Sequence, residues 1–277
     1  MKLRRSTVIV HVVAWSVALV WIVPFFGVFM ASIRPYDEVV NGWWNLEEFN
    51  PTLESYVSAW NHTSAPLSTG VRNSLIVAIP ATVIPIFVAS LAAYSFARFR
   101  FPTRDLLFLA IVLLMTIPQQ MVIVPLFQIA VSLNLWDTYL GLILVHSAFG
   151  LPWIILFLRN FFSVLPVEVE EAAKMDGASD LQIFFRIVLP MSLPALASVT
   201  ALQFVWVWND FFFPLVLLFS PDKLVAPQAI PIIKGRYFID WSLVSAASIL
   251  VMAVPVLIYV LLQRYYVRGI VAGAVKG

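Results

Sequence analysis

No cysteine occurs in the 277 residues, which excludes a disulfide framework, a thiol nucleophile and a thiolate metal site. Charge is almost as scarce. Asp, Glu, Lys and Arg make up 12% of the chain and leave a formal net charge of +2, where soluble domains carry about 25% charged residues. That near-neutral balance offers no electrostatic footprint for nucleic acid. No G-x-x-x-x-G-K-[ST] run is present, so the chain does not bind ATP through a P-loop, and no cofactor of its own is expected. His11, His62 and His146 stand far apart without metal-ligand spacing, so each is expected to be a packed, bonded side chain and no metal site is expected. What remains is apolar: 61% of the residues are hydrophobic, and the mean hydropathy is +0.93. This is the composition of a polytopic membrane protein. Its length gives room for several spans of about 20 residues each and for no sizeable extra domain.

Six spans are expected. The first runs from Val8 to Met30 behind Lys2, Arg4 and Arg5; it is too long for a signal-peptide core and has no small-residue cleavage site, so it reads as uncleaved. The polar stretch from Ala31 to Gly70 predicts short helices on the outer surface, and its Asn61-His62-Thr63 is formally a glycosylation sequon. Further spans are predicted over Val71–Ala97, Leu106–Val131, Thr138–Phe161, Ala195–Phe219 and Ser242–Leu262. Pro80 and Pro85 fall inside the second, and Ile117-Pro118-Gln119-Gln120 with Pro125 interrupts the third. Freed carbonyls at that depth are tolerated only against protein or a water-filled path. The chain therefore divides into 1–70, a first span with an external segment; 71–264, a membrane core; and 265–277, a terminal tail. With the amino terminus inside, the inner face receives Lys2, Arg4, Arg5, Arg98, Arg100, Arg104, Arg159, Lys174, Arg186, Arg264, Arg268 and Lys276. The outer face receives only Arg34, Arg72, Lys223, Lys234 and Arg236. The positive-inside rule thus puts both termini in the cytoplasm of a cell-membrane protein.

One charged block breaks the apolar pattern. Between Pro166 and Pro190 lie Glu168, Glu170, Glu171, Lys174, Asp176, Asp180 and Arg186. A charge at mid-membrane costs about 2.5–3.5 kcal/mol or more, so this segment must lie in water. Pro166 suits a first helical turn, Glu170 and Lys174 form an i,i+4 pair, and Gly177 is a helix stop. Ser179 with Gln182 predicts a capping box opening a second helix, along which Leu181, Phe184, Phe185 and Val188 form one apolar face. The first helix has a small-residue stripe instead, Val169, Ala172, Ala173 and Asp176, where another protein surface can approach the backbone. The segment reads as a helix–Gly–helix elbow offered to a partner.

Glu171-Ala172-Ala173, three residues, Gly177, nine residues, Ile187, one residue and Leu189-Pro190 fill every fixed position of a spaced pattern. It resembles the EAA loop of the membrane subunits of ABC importers. The tail, with Gln263-Arg264, Gly269 and Gly273 to Gly277, is similar to that of carbohydrate-importer permeases of the maltose-type second-subunit group. Asn73-Ser74, Ala93-Tyr94 and Trp208-Asn209-Asp210 point the same way. The resemblance covers most of the chain from Val71 onward. It implies an all-α fold of six transmembrane helices with cytoplasmic coupling helices, the type I importer permease fold, and an EAA loop at 166–190. It implies a non-catalytic subunit working with a second, non-identical permease, two ATP-binding subunits that hold ATP and Mg, and an extracytoplasmic sugar-binding protein. Glu170, Glu171, Ala172, Ala173, Asp176 and Gly177 would make the coupling contact. Gly273, Ala274 and Lys276 would reach the ATPase interface, and the outer segments Trp43–Trp60 and Asp222–Asp240 the binding protein.

Within the fifth predicted span, Gln203, Trp206, Trp208, Asn209 and Asp210 form a second cluster. Rings beside amides and a carboxylate suit a sugar path, since rings stack on C–H faces while polar groups bond hydroxyls. The same groups equally suit interhelical hydrogen bonding. Three rivals stay open: an ion-coupled carrier using Asp210, an importer permease for a non-sugar solute, and a non-transporting scaffold.

Overall fold

A membrane offers no water to unpaired backbone groups, so an apolar chain of this length has to satisfy its N–H and C=O groups within helices or a closed barrel. The computed structural model describes residues 5–47 and 49–274, with side chains described over 7–47 and 49–263. Among the described residues the regular structure is entirely helical. The helices are α1 (Arg5–Ser32), α2 (Tyr36–Val40), α3 (Glu54–Trp60), α4 (Leu67–Arg98), α5 (Arg104–Leu114), α6 (Gln119–Ser132) and α7 (Tyr139–Ser163). They continue as α8 (Val167–Met175), α9 (Asp180–Ile183), a π-helical turn (Phe184–Val188), α10 (Leu189–Met191), α11 (Leu193–Asn209), α12 (Phe212–Leu217), α13 (Ala226–Lys234) and α14 (Trp241–Ala274). Among the described residues four stretches are long and apolar enough to cross a bilayer alone, and counting each of two bent pairs as one span brings the total up to six.

Both bends have local causes. α5 and α6 meet at 96°. Pro118 holds extended geometry at the α6 N-cap, and a proline disfavours helical geometry in the residue before it. The stretch Asp180–Met191 and α11 meet at 76° across Ser192, between Pro190 and Pro194, and the Ser192 hydroxyl donates back to the Val188 carbonyl at 2.7 Å.

Two expectations need correcting. The fifth span does not run unbroken from Ala195 to Phe219: α11 stops at Asn209 and Asp210 is extended. The Asp210 carboxylate accepts the N–H groups of Phe212 and Phe213 at 3.2 and 3.1 Å, which starts α12 as a separate short helix. At the other end, 265–274 continues α14 rather than leaving it as a tail. Gly273 and Ala274 thus belong to helical backbone, while their side chains and Lys276 lie outside the described residues.

Contacts group the chain into two units, one of Met1–Gly70 with Ala229–Ala253 and one of Val71–Gln228 with Val254–Gly277. In the first, Ala59, Ala65, Leu67, Ala229, Ile233 and Ala247 form a core of mostly small side chains. α1 contributes none of its most apolar window to burial, and Trp15 and Trp21 stand open on it. In the second unit, Ala89, Ala93, Tyr94 and Phe96 of α4 pack with Ile154, Leu158 and Phe162 of α7, Val199 of α11, and Ile183, Phe184 and Val188 of the elbow. Alanines on α4 let these helices approach closely, which is how membrane helices gain packing where the hydrophobic effect gives none.

Candidate functional site

The elbow is built from short-range rules. α8 ends in a Schellman motif: Gly177 N–H donates to Lys174 O and Ala178 N–H to Ala173 O, both at 3.0 Å. Gly177 sits at φ +85 with open space where a Cβ would be. The expected capping box is present, with Ser179 N–H donating to Gln182 Oε1 at 2.8 Å and Gln182 N–H to Ser179 Oγ at 3.4 Å. The second helix does not keep its expected face. The backbone turns π-helical at Phe184–Val188, so Ile183, Phe184 and Val188 are buried while Leu181 and Phe185 are exposed.

Glu170 is not paired with Lys174. Lys174 reaches Asp180 at 2.9 Å, and Glu170 points inward, only 4% exposed. Its Oε1 accepts Arg98 Nε at 2.8 Å and lies 2.7 Å from Arg98 Nη2. Its Oε2 accepts the Tyr94 hydroxyl at 3.1 Å. Burying this carboxylate is tolerable because the guanidinium fork and the phenol satisfy it. Glu171, Ala172, Asp176 and Gly177 are exposed and Ala173 is half-buried. Asp176, Gly177, Ala178, Gln182, Ile183, Arg186 and Ile187 line a shallow depression of about 290 Å³. Met175 projects beside it, 89% exposed.

The second cluster separates into two groups. Gln203 and Trp208 are buried. The Gln203 amide donates to Ala81 O at 3.0 Å and accepts the Trp153 indole N–H at 3.0 Å. Pro85 has no N–H to give to Ala81 four residues back, so Gln203 supplies the bond that the proline removed. A Cβ on Gly150 would fall 2.6 Å from that amide, so α7 has a glycine where Gln203 passes. Trp208 stacks on Phe204 with ring centroids 5.7 Å apart. Trp206, Asn209 and Asp210, by contrast, border a surface depression. Trp206 also lines a larger cavity of about 670 Å³ at the α5–α6 break, with Ile117, Pro118, Gln119, Phe149 and Trp153 among its walls.

Sequence reasoning missed His146. It is fully buried, its Nε2 lies 3.5 Å from Asp210 Oδ2, and its ring meets Trp206 and Phe213 edge-on. Neither ring nitrogen has a hydrogen-bond partner among the described residues, so the expected bonded histidine is not what forms there. Sixty-four positions separate it from Asp210, which left no local signal. Asp137 was missed as well. Its carboxylate accepts Phe219 N–H at 2.9 Å, Ser220 N–H at 3.0 Å, Ser220 Oγ at 2.5 Å and Lys223 Nζ at 3.1 Å. Burial alone would raise the Asp137 carboxyl, but these donors outweigh it and hold the group well below the usual carboxylate range.

Residues 85–272 match the family described as binding-protein-dependent transport system inner membrane components. A probable ABC transporter permease protein of Pyrococcus horikoshii is 55% identical over 276 residues, covering 100% of both chains. An alpha-glucoside transport system permease protein of Rhizobium meliloti is 41% identical over 82% of this chain and 60% of its own. Among solved structures, a bacterial ABC transporter involved in import of the acidic polysaccharide alginate superposes with a TM-score of 0.79. It is 24% identical and covers 96% of this chain and 99% of its own, a likeness of fold.

Proposed function

The chain belongs to the family of binding-protein-dependent transport system inner membrane components, and from that membership we propose that it is the sugar-importing permease subunit of an ATP-driven transporter. The observation that carries the proposal is the elbow: a complete EAA pattern whose Glu171, Ala172, Asp176 and Gly177 face outward while its apolar side is buried. Two ATP-binding subunits, holding ATP and Mg, dock on that face from the cytoplasm, where both termini also lie. In this reading Gly273, Ala274 and Lys276 contribute to the contact with those subunits. Glu170 serves from inside, fixing the elbow rather than touching the partner. A second, non-identical permease and an external sugar-binding protein complete the assembly. Closure of the ATP-binding subunits moves the elbow, and the two permeases rock between outward and inward openings. Hydrolysis takes place in the partners.

Sugar as the substrate class rests on the alpha-glucoside relative and on Trp206 with Asn209 and Asp210 at an open surface. Gln203 and Trp208 stand behind these residues as support. The test is uptake of labelled alpha-glucosides into vesicles carrying the assembled complex. Uptake should require internal ATP and the binding protein and survive a protonophore. The His146–Asp210 contact favours a second reading, in which Asp210 couples transport to protons. Collapse of uptake by the protonophore with ATP held up would establish that reading and reject the first.

A further inference from the structure

The elbow is fastened not only to its sequence neighbours α7 and α11 but to α4, whose last turn is some 70 positions earlier. Arg98 grips the Glu170 carboxylate through two nitrogens, Tyr94 donates to its second oxygen, and Arg98 Nη2 also holds Leu165 O at 3.2 Å at the entrance to the elbow. Both guanidinium nitrogens converge on Oε1 while Tyr94 holds Oε2, so each carboxylate oxygen is tied to α4, the first by short charge-assisted contacts. The Tyr94 ring lies 5.2 Å from that of Phe184, so the apolar side of the elbow seats on the same turn. The opposite end of α4 is held too. Buried Asn73 donates through Nδ2 to Asp222 O at 2.8 Å and to Leu224 O at 2.9 Å, and Ser74 Oγ accepts Ala226 N–H at 2.9 Å. From Asn73 to Arg98 the helix covers about 38 Å at 1.5 Å per residue, enough to pass the roughly 30 Å hydrocarbon core. Between the clamps, the weak point that Pro85 creates is bridged by Gln203.

We infer that α4 is a strut clamped at both ends, delivering displacement of the elbow to the segment 222–226 across the membrane. Arg98, Tyr94, Asn73 and Ser74 are its positioning residues. The inference rests on the reading of the elbow as the docking site for ATP-binding subunits. It names which helix carries the movement and where the movement arrives.

The test uses the assembled transporter with a fluorescent label on Asp222→Cys, a position made unique on this chain by the absence of native cysteine. Arg98→Lys keeps the charge and loses the fork; Tyr94→Phe removes one hydroxyl and is the milder variant. In both, ATP-binding subunits should co-purify as in wild type. The fluorescence change on trapping with ATP and vanadate should fall at least threefold in Arg98→Lys, and less in Tyr94→Phe. The ratio of ATPase rate with and without loaded binding protein should fall about fivefold in Arg98→Lys. Asn73→Ala should reduce the label response with docking intact. Unchanged response and unchanged ratio in Arg98→Lys and Asn73→Ala would overturn the strut. Loss of subunit docking in Arg98→Lys would overturn it too, since Arg98 would then act on the docking face. Normal docking and transport in Gly177→Asp would instead sink the reading of the elbow, independently of the clamps.

Discussion

The elbow at 166–190 and the cluster at 203–210 both place polar groups between apolar runs, and they are built on opposite principles. The elbow closes most of its hydrogen bonds within itself, through a Schellman turn, a capping box and the Lys174–Asp180 pair, and turns Glu171 and Asp176 outward. The cluster has to look further: Gln203 spends its amide on two distant helices, at Ala81 and Trp153, and Asp210, which accepts locally from Phe212 and Phe213, has His146 of α7 beside it. In water a polar group can be left to solvent, so its neighbours in sequence suffice. In the membrane it has to find protein.

That contrast can be attacked residue by residue. Gln203→Leu leaves the Ala81 carbonyl and the Trp153 N–H without partners, and should cost about 2–6 kcal/mol at about 1–3 kcal/mol for each buried unsatisfied group. It should be read as a fall of about 5–20 °C in the melting temperature of the detergent-solubilised complex. A melting temperature within 2 °C of wild type, to take a rough limit on that same scale, would show that the cluster is not internal support. Gly177→Asp should leave folding nearly intact, since a Cβ there meets open space and only the positive φ is strained, by about 1 kcal/mol. Transport should nonetheless drop more than about tenfold, a loss of about 1.4 kcal/mol or more in coupling; vesicle uptake measures it.

Asp137→Asn probes a third pattern, a carboxylate held by donors from the loop after α12, and should lower stability by about 1 kcal/mol at neutral pH. Because the folded carboxyl is held below its unfolded value near 4, its contribution is complete above that value and is lost as pH falls through the folded one. The melting difference between wild type and variant should hold from pH 7 to 5 and narrow only below about pH 4; narrowing already at pH 6 would contradict the assignment. Asn209→Ala should be the mildest, shifting sugar affinity about threefold, within the range of one net hydrogen bond, with melting unchanged. Lower melting with unchanged affinity would move Asn209 into the supporting group.

The same contrast explains what could be read from the sequence. Ser179 with Gln182 and Gly177 are written within a few positions of one another, and each forms the local structure expected. Spans and prolines were legible because they follow from composition and one residue's chemistry. Glu170 was misassigned to Lys174 because i,i+4 spacing is visible and Arg98, in a different helix, is not. His146 was passed over for the same reason. The end of α11 at Asn209 was missed because Phe211 to Phe219 is as apolar as the helix before it. The break comes from Asp210 binding the next two N–H groups but one, which hydropathy does not register. Even so, Gln203 left a hint. A proline at 85 orphans the carbonyl at 81, and a buried amide elsewhere is the kind of group that answers it.

That pairing makes α4 depend on an atom that α7 does not have. Placing a methyl group at position 150 would push the Gln203 amide off its seat, and the damage would surface in another helix, where the Ala81 oxygen would be stranded four residues before Pro85. The tolerance of position 150 is therefore set by a vacancy two helices share, and a comparison of natural variants should find any residue larger than glycine there accompanied by loss of the proline at 85 or of the amide at 203.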